Sequence, residues 1–326
     1  MKKPYLHILE PEKNKRLSSF YLYLPANEND TDEYYVKYRF IYEINPYNPE
    51  LSYENGPNNP SNREFYRIKK AYVVKKQGDE FVEIFRALQG GEIGLAIREK
   101  GAGDFVGGVH GDELLLDVKL TLDGKDMALN KSFFGTFEDF EFYEQSEMFR
   151  CNTPREKLIL HTQNYTVDGT TLHLKQDIEW VGNSRILEKA FTPMLTAQRL
   201  NPDNIAEVLS DTVEFYGADG VMLTSFDTTP YGVEGNGEPW TMVCEKTPAT
   251  SVKVYGKKSG FMAEAGYVVR DGSIPKEQIS TSLCIRYMRG AVDNKIYFDI
   301  AEGKSPKAGT AWRSDIFYRI SYISPE

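Results

Sequence analysis

A glycine-rich segment carries the first residues that could do chemistry. Residues 100–113 read KGAGDFVGGVHGDE, with five glycines around one histidine. Glycine at this density predicts sharp turns or a close backbone approach. A neutral imidazole suits proton transfer near pH 7, and a carboxylate from Asp104, Asp112 or Glu113 could fix its tautomer. His110 is therefore a candidate catalytic or ligand-binding residue, and the alternative is a solvated connecting loop.

A second candidate site lies on a β-hairpin. Asp168-Gly169 separates two alternating segments, 158–166 and 171–180, and Asp-Gly is a strong hairpin signal. A three-residue loop, 168–170, would put six polar side chains on one face, namely those of His161, Gln163, Tyr165, His173, Lys175 and Asp177. A loop one residue shorter would scatter this set, because side chains alternate between the two faces. The face either lines a groove or is an ordinary solvated sheet face.

Three further residues are candidates for substrate binding. Trp240 stands in a glycine-rich stretch, 231–240, where its ring could stack on a sugar. Arg199 and Arg313 could each hold a carboxylate through the fork of the guanidinium group. The alternative for both arginines is an ordinary ion pair.

Metal-binding patterns are weak. The histidines show no metal-ligand spacing, so we expect neither a metal nor another cofactor. Calcium is left open for an acidic stretch without EF-hand spacing, formed by Glu138, Asp139, Glu141 and Glu144. No CxxC pair is present, and either buried thiols or one disulfide with one thiol would account for Cys151, Cys244 and Cys284.

Charge and hydropathy limit the partners. The 326 residues carry a formal net charge of -9, which argues against nucleic acid and anionic membranes as partners. A local basic groove can still sit on an acidic protein. No apolar run approaches the roughly 18 residues of a membrane span. We expect a cytoplasmic protein as the sequence is written, or a secreted or periplasmic one if a leader was removed.

The remaining pattern is a long series of short alternating segments separated by Gly, Asn, Asp and Pro. It predicts an all-β fold, a large antiparallel β-sandwich (supersandwich-like) with one or two short helices, as a single domain over residues 1–326. The helices are expected at residues 201–209, after an Asn-Pro-Asp start, and at 275–278. Residues 137–149 fit neither the helical nor the strand period.

The long β series, the histidine loop and two later segments together resemble a known group of proteins. These segments are residues 193–199, PMLTAQR, and residues 309–314, GTAWRS. The sequence resembles the large β-sandwiches of mutarotase-like proteins and bacterial polysaccharide lyases. The resemblance implies a concave sheet that binds oligo- or polysaccharides. In such lyases a His or Tyr removes the C5 proton of a uronate while Arg, Gln or Asn neutralises its carboxylate.

The resemblance assigns roles to the candidates. His110 or His161 would be the base and Tyr165 the acid, and stabilisation of the developing enolate would fall to Gln163 and Arg199. Other substrate contacts would come from His173, Lys175, Trp240 and Arg313. One alternative is a glycoside hydrolase or sugar epimerase using Asp112, Glu113 and Asp177 as acids. Another is a non-catalytic glycan-binding or structural module.

Overall fold

A computed structural model describes residues 2–28, 33–45, 63–89, 93–151, 153, 156–228, 241–243, 249–270, 284–289 and 292–324. The first twelve strands are β1 (Tyr5–Ile8), β2 (Phe20–Pro25), β3 (Tyr34–Asn45), β4 (Arg63–Gln77), β5 (Glu80–Leu88), β6 (Ala96–Glu99), β7 (Glu113–Leu122), β8 (Lys125–Met127), β9 (Phe133–Thr136), β10 (Phe140–Phe149), β11 (Lys157–Asp168) and β12 (Thr171–Trp180). The others are β13 (Leu187–Gln198), β14 (Leu200–Asn201), β15 (Asn204–Val208), β16 (Thr212–Tyr216), β17 (Met222–Asp227), β18 (Thr241–Val243), β19 (Ser251–Tyr255), β20 (Phe261–Val269), β21 (Cys284–Arg289), β22 (Asp293–Asp299) and β23 (Ala311–Tyr322).

Backbone pairing arranges most of the strands in two long antiparallel runs. The first sheet has the order β9-β1-β2-β3-β4-β5-β13-β22-β21-β18, with β6 beside β13. The second sheet has the order β7-β10-β11-β12-β23-β20-β19-β16-β17, with β8 beside β7. A short parallel contact between β4 and β7 joins the two sheets at Arg63 and Glu113.

Aromatic side chains from both sheets meet in one main core. Phe142 of the second sheet lies with its ring centroid 5.0 Å from Phe20 and 5.1 Å from Tyr66 of the first sheet. Farther along, the rings of Phe85 and Phe261 are 5.6 Å apart. Two sheets that bury a shared aromatic layer form a sandwich, so the predicted all-β sandwich is confirmed.

Side-chain alternation along strands of the first sheet, such as β5 and β22, defines an outer face. On β5, Phe85 and Ala87 belong to the main core, so Arg86 between them points away from it. On β22, Ile296 and Phe298 are in the main core, and Tyr297 belongs to a separate cluster. The first sheet therefore presents an outer face with its own side-chain packing.

The helix expected at residues 201–209 was wrong. Residues Leu200–Asn201 and Asn204–Val208 instead form the short antiparallel pair β14–β15. The Asn201 side chain accepts a hydrogen bond from the Asp203 backbone N–H at 3.0 Å, a local turn that competes with helix formation. The ambiguous segment around 140–149 is strand β10, and residues 275–278 lie outside the described part of the chain.

Little helix is found in the described ranges. One short 3₁₀ turn, Gly108–His110, lies in the glycine-rich segment. No helix among the described residues has the length and apolar character needed to cross a membrane.

Truncation of Phe142 tests the main core. We expect Phe142→Ala to lower the free energy of unfolding by about 3–5 kcal/mol, because the ring is fully buried among four aromatic neighbours. The matched control is Phe134→Ala, since Phe134 is 50% exposed. Urea denaturation of both variants measures the difference. Equal losses in the two variants would contradict the assignment of Phe142 to the core.

Candidate functional site

A cavity of about 300 Å³ lies on the outer face of the first sheet. Three neighbouring strands, β6, β13 and β22, form its floor through residues such as Ala96, Phe191 and Tyr297. The glycine-rich segment folds across these strands and supplies Phe105 and His110 as one wall. We call this cavity the outer pocket.

Close backbone contact holds the glycine-rich segment against β6. Val106 and Ile97 exchange two backbone hydrogen bonds of 2.8 and 3.0 Å. The next residue, Gly107, has φ 90°, and a Cβ there would lie 2.5 Å from Met148 Cε and 2.7 Å from the Leu95 oxygen. Only glycine fits this position without a shift of its neighbours. The predicted close approach of the backbone is confirmed here.

Aromatic rings form the apolar part of the outer pocket. The Phe191 ring centroid lies 5.9 Å from that of Phe105 and 5.2 Å from that of Tyr297. With Ala96 and Met194, these residues make a cluster separate from the main core. The pocket thus has a small hydrophobic floor of its own.

Basic groups surround these rings. The Arg98 guanidinium lies 4.7 Å from the Phe105 ring centroid and pairs with Glu188 at 2.6 Å. Lys189 and Lys295 also line the pocket, and Lys189 pairs with Glu302 at 2.6 Å. The lining therefore combines apolar ring surface with three side-chain cations.

His110 is the titratable group at the mouth of the pocket. Its side chain is 31% exposed, and its Nδ1 lies 3.4 Å from an Asp104 carboxylate oxygen. Its ring centroid is 5.0 Å from that of Phe105. A partly exposed imidazole beside a carboxylate and an apolar ring is able to exchange a proton with a ligand in the cavity.

His161 lies in the interior of the sandwich. It is 2% exposed, and its Nδ1 is 3.1 Å from Glu113 Oε1. Its Nε2 is 2.9 Å from Gln176 Nε2, while the Gln176 oxygen accepts a hydrogen bond from Thr192 Oγ1 at 2.6 Å. Gln176 is therefore the donor, so His161 accepts at Nε2 and donates from Nδ1 to Glu113.

Glu113 connects this interior histidine to the outer pocket. Burial opposes ionisation of Glu113, but hydrogen bonds from His161, Ser146 and the Gly108 backbone N–H lower its pKa below the usual value. The Gly108 bond, at 2.8 Å to Glu113 Oε2, holds the short turn that carries His110. The interior pair thus fixes the position of the pocket wall.

The hairpin has a register one residue different from the predicted one. Asp168 pairs with Thr171, so the loop is two residues long and the polar set divides between two faces. His161, Gln163 and Tyr165 point inward and are at most 5% exposed. The other face carries His173, Lys175 and Asp177. The expected single polar face was therefore wrong.

The buried side chains of this set are hydrogen-bonded within the interior. The Tyr165 hydroxyl donates to Gln163 Oε1 at 2.9 Å. Burial raises the pKa of Tyr165 well above its usual value. On the outward face, Asp177 forms a short ion pair with Arg270 and lies 3.7 Å from Arg313 Nε. The structure does not bring these residues to the outer pocket.

The remaining candidates are scattered. Arg199 is 3% exposed, and its Nη1 lies 3.4 Å from the Thr228 backbone oxygen. Asp112 is buried, and Trp240 lies outside the described residues.

In the part of the chain that is described, no group of three His, Cys, Asp or Glu side chains is arranged to hold a metal ion. Cys151 carries a free thiol.

Sequence reasoning missed the basic and aromatic floor of the outer pocket. Arg98, Lys189, Lys295 and Tyr297 come from three strands that are far apart in the chain and share no motif. What they share is that each is adjacent in sequence to a main-core residue and so points to the outer face, which becomes informative once the strand pairing is known.

Nine solved chains are structurally similar to this one, and two of them illustrate how distant the similarity is. No family profile matches the chain, and no curated protein is similar to it in sequence. The Slr1438 protein of Synechocystis sp. PCC 6803 is 8% identical with a TM-score of 0.41, covering 97% of this chain and 98% of that one. A "putative aldose 1-epimerase" of Escherichia coli K12 is 9% identical with a TM-score of 0.32, covering 78% and 97%. At these TM-scores neither similarity assigns a function.

Glu144 is a second buried carboxyl group beside Glu113. Burial raises its pKa well above the usual value, and the negative charge of Glu113 adds to the effect. A hydrogen bond from the Tyr66 N–H at 2.7 Å offsets only part of this. Glu144 Oε2 has no hydrogen-bond partner among the described residues. These contacts indicate that the interior holds a neutral Glu144 next to an ionised Glu113.

Replacing Glu144 should change the pH dependence of stability. Above pH 4.5 the ionisation of Glu144 stabilises the unfolded chain. The folded chain keeps Glu144 protonated until the pH reaches the raised pKa of this group. Native stability is therefore lost as pH rises through this window. We expect Glu144→Gln to gain at least about 1 kcal/mol over the native chain between pH 4 and pH 7.

Urea denaturation at several pH values measures this gain. The control is Glu141→Gln, which removes an exposed carboxylate from the same strand and should shift stability by less than about 0.5 kcal/mol. A gap between Glu144→Gln and the native protein that stays constant with pH would show that Glu144 is ionised in the fold.

Gly107 offers a test of the loop contact. Gly107→Ala introduces both a positive φ and the clash with Met148 and Leu95, so we expect a loss of about 2–5 kcal/mol. Gly101→Ala is the matched control, because Gly101 has φ 81° but nothing within 4 Å of a Cβ. Its expected loss is about 1–2 kcal/mol. Thermal unfolding compares them, and equal losses would rule out the clash.

Proposed function

We propose that the outer pocket binds an acidic sugar residue, of which a uronate is the simplest example. The observation that carries this proposal is the joint lining of the cavity by aromatic rings and side-chain cations beside His110. Ring planes pack against the apolar C–H surface of a sugar. Ammonium and guanidinium groups bind a carboxylate. A pocket that offers both surfaces matches a ligand that carries both.

Each wall has a distinct role in this proposal. Phe105, Phe191 and Tyr297 provide the apolar surface for the sugar ring. Lys295 provides positive charge for the carboxylate, and Arg98, which is paired with Glu188 through one nitrogen, has further N–H donors to offer. The acidic net charge of the whole chain is compatible with this, because the field inside a pocket is set by the groups that line it.

We further propose that the bound residue undergoes β-elimination with His110 as the base. His110 would take the C5 proton, and the electron pair of that C–H bond would form the C4–C5 double bond. The C4–O bond would break as the His110 imidazolium returns the proton to the leaving oxygen. Asp104, 3.4 Å from Nδ1, would orient the imidazole and stabilise its charged form. The cations would stabilise the enolate-like charge on the carboxylate. In this proposal His161 positions the wall instead of acting as the base.

The hydrolase alternative receives less support. The Glu113 carboxylate lies in the interior, where it is hydrogen-bonded to His161 and to the Gly108 backbone N–H. Asp177 lies on β12 of the second sheet in contact with Arg270. Carboxylates placed in this way do not flank a common glycosidic bond, as hydrolysis by two acids requires.

Binding of galacturonic or glucuronic acid tests the first step. We expect Lys295→Gln to weaken binding about tenfold, because one charged hydrogen bond to the carboxylate is lost. The control Lys157→Gln removes an exposed cation from β11 and should leave affinity unchanged. Titration calorimetry measures both. Absence of binding to the native protein, or equal affinity in all three proteins, would refute an acidic sugar site at this pocket.

Elimination has a separate readout. Incubation with polygalacturonate should yield a product that absorbs in the ultraviolet through its new double bond. His110→Ala should reduce the initial rate at least about 100-fold while affinity changes only severalfold. Binding without any absorbing product would identify a glycan-binding module and reject the lyase chemistry.

A further inference from the structure

A row of three cations crosses the outer face of the first sheet beside the outer pocket. Arg39 on β3, Lys70 on β4 and Arg86 on β5 lie on adjacent strands. Arg39 lies outward between the main-core residues Tyr38 and Phe40, Arg86 lies outward between Phe85 and Ala87, and Lys70 precedes the main-core residue Ala71. We call these three residues the basic row.

The basic row places like charges next to one another. Arg39 lies directly opposite Lys70 in the β3–β4 pairing, and Arg86 lies opposite Tyr72, two residues farther along β4. Burial and the charges of Arg86 and Arg39 lower the pKa of Lys70. Like charges on facing strands destabilise a sheet, so this arrangement costs the fold stability. An anionic ligand would relieve that repulsion.

Aromatic rings hold the row in place. The Arg39 guanidinium lies 5.3 Å from the Tyr21 ring centroid and 5.9 Å from that of Tyr72. These cation–π contacts hold the Arg39 guanidinium group against the surface of the sheet. In the described part of the chain, the carboxylate recorded near the row is Glu83, which pairs with Lys37 at 3.0 Å.

The row is connected by a side-chain hydrogen bond to β13, one of the strands that form the pocket floor. Arg86 Nη2 donates to Gln198 Oε1 at 3.2 Å. Gln198 is at the end of β13, two residues after Thr196, which pairs with Lys295 of the pocket. Gln198 is fully buried, and its Nε2 donor has no hydrogen-bond partner among the described residues. A buried donor without a described partner therefore lies beside the row, on the strand that leads to the pocket floor.

We propose that the basic row binds the continuation of an acidic polysaccharide chain whose terminal or reacting residue occupies the outer pocket. This inference rests on the proposed function and extends it from a single sugar to a polymer that crosses several strands. Strands lie about 4.8 Å apart, close to the length of one pyranose residue in a chain. Arg39 and Lys70 can therefore meet successive uronate carboxylates, and Arg86, which is diagonal to Lys70 at about 7–8 Å, can meet a further one.

A single-stranded nucleic acid is the competing polyanion. Nucleic acids bind such faces by stacking bases on open aromatic rings. Here Lys37 and Arg39 lie over the Tyr21 ring, and Arg39 also lies over Tyr72. Because the cations cover these rings, the rings are not open for stacking with bases, whereas the positive charges remain on the face. This favours a polyuronate as the occupant.

The test compares a monomer with a polymer. We expect the double variant Arg39→Gln/Lys70→Gln to bind galacturonic acid as the native protein does and to bind polygalacturonate at least about tenfold more weakly. Its affinity for the polymer should also depend less on salt, because two ionic contacts are gone. The double variant should be no less stable than the native protein in urea, since it removes a like-charge pair.

The control is Lys119→Gln/Lys157→Gln, which removes two exposed cations from the second sheet and makes the same change in net charge. It should leave polymer affinity unchanged. If the monomer binds and the double variant keeps native affinity for the polymer, the basic row is not a subsite, although the proposed pocket stands.

Two further outcomes separate the hypotheses. Polymer binding that requires Arg39 and Lys70, with no monomer binding and no effect of Lys295→Gln, would support the row and reject the pocket. Binding of a single-stranded oligonucleotide, stronger than that of polygalacturonate and lost in the double variant, would overturn the polysaccharide assignment.

Discussion

The two-residue period of the β-strand is the constraint on which this molecule depends. Strands of the first sheet such as β2, β3, β5 and β22 give alternate side chains to the aromatic core, so the side chains between these build an outer surface. Phe85 and Ala87 are inward, and Arg86 is outward between them. The same rule places Tyr297 under the pocket and His161 inside the sandwich. The same alternation of side chains therefore supplies both the residues of the outer pocket and those of the core.

This constraint explains what the sequence could and could not predict. Short alternating segments were enough for the all-β sandwich, and the glycines around His110 were enough for a tight loop. The hairpin face failed because one residue of loop length moves His173 to the opposite side from His161. The helix at 201–209 failed because a local Asn201 turn outweighed apolar spacing. Lys295 and Arg98 needed strand pairings that no local pattern contains.

The buried carboxylate of Glu113 links the interior of the sandwich to the wall of the outer pocket. Glu113 belongs to β7 and faces His161, yet its second oxygen holds the backbone of Gly108. A buried carboxylate is costly unless its oxygens are satisfied, and here part of that satisfaction comes from the pocket wall. The precise position of His110 is thus set by residues that a ligand never reaches.

The place of β23 has a consequence for biosynthesis. This strand, residues Ala311–Tyr322, lies in the middle of the second sheet between β12 and β20, although it is the last of the described strands in chain order. Until it emerges from the ribosome, β12 and β20 each expose an unpaired edge, and such edges promote association with other chains. The second sheet cannot be completed before β23 has been synthesised, so shorter nascent chains carry two strand edges that are open to association.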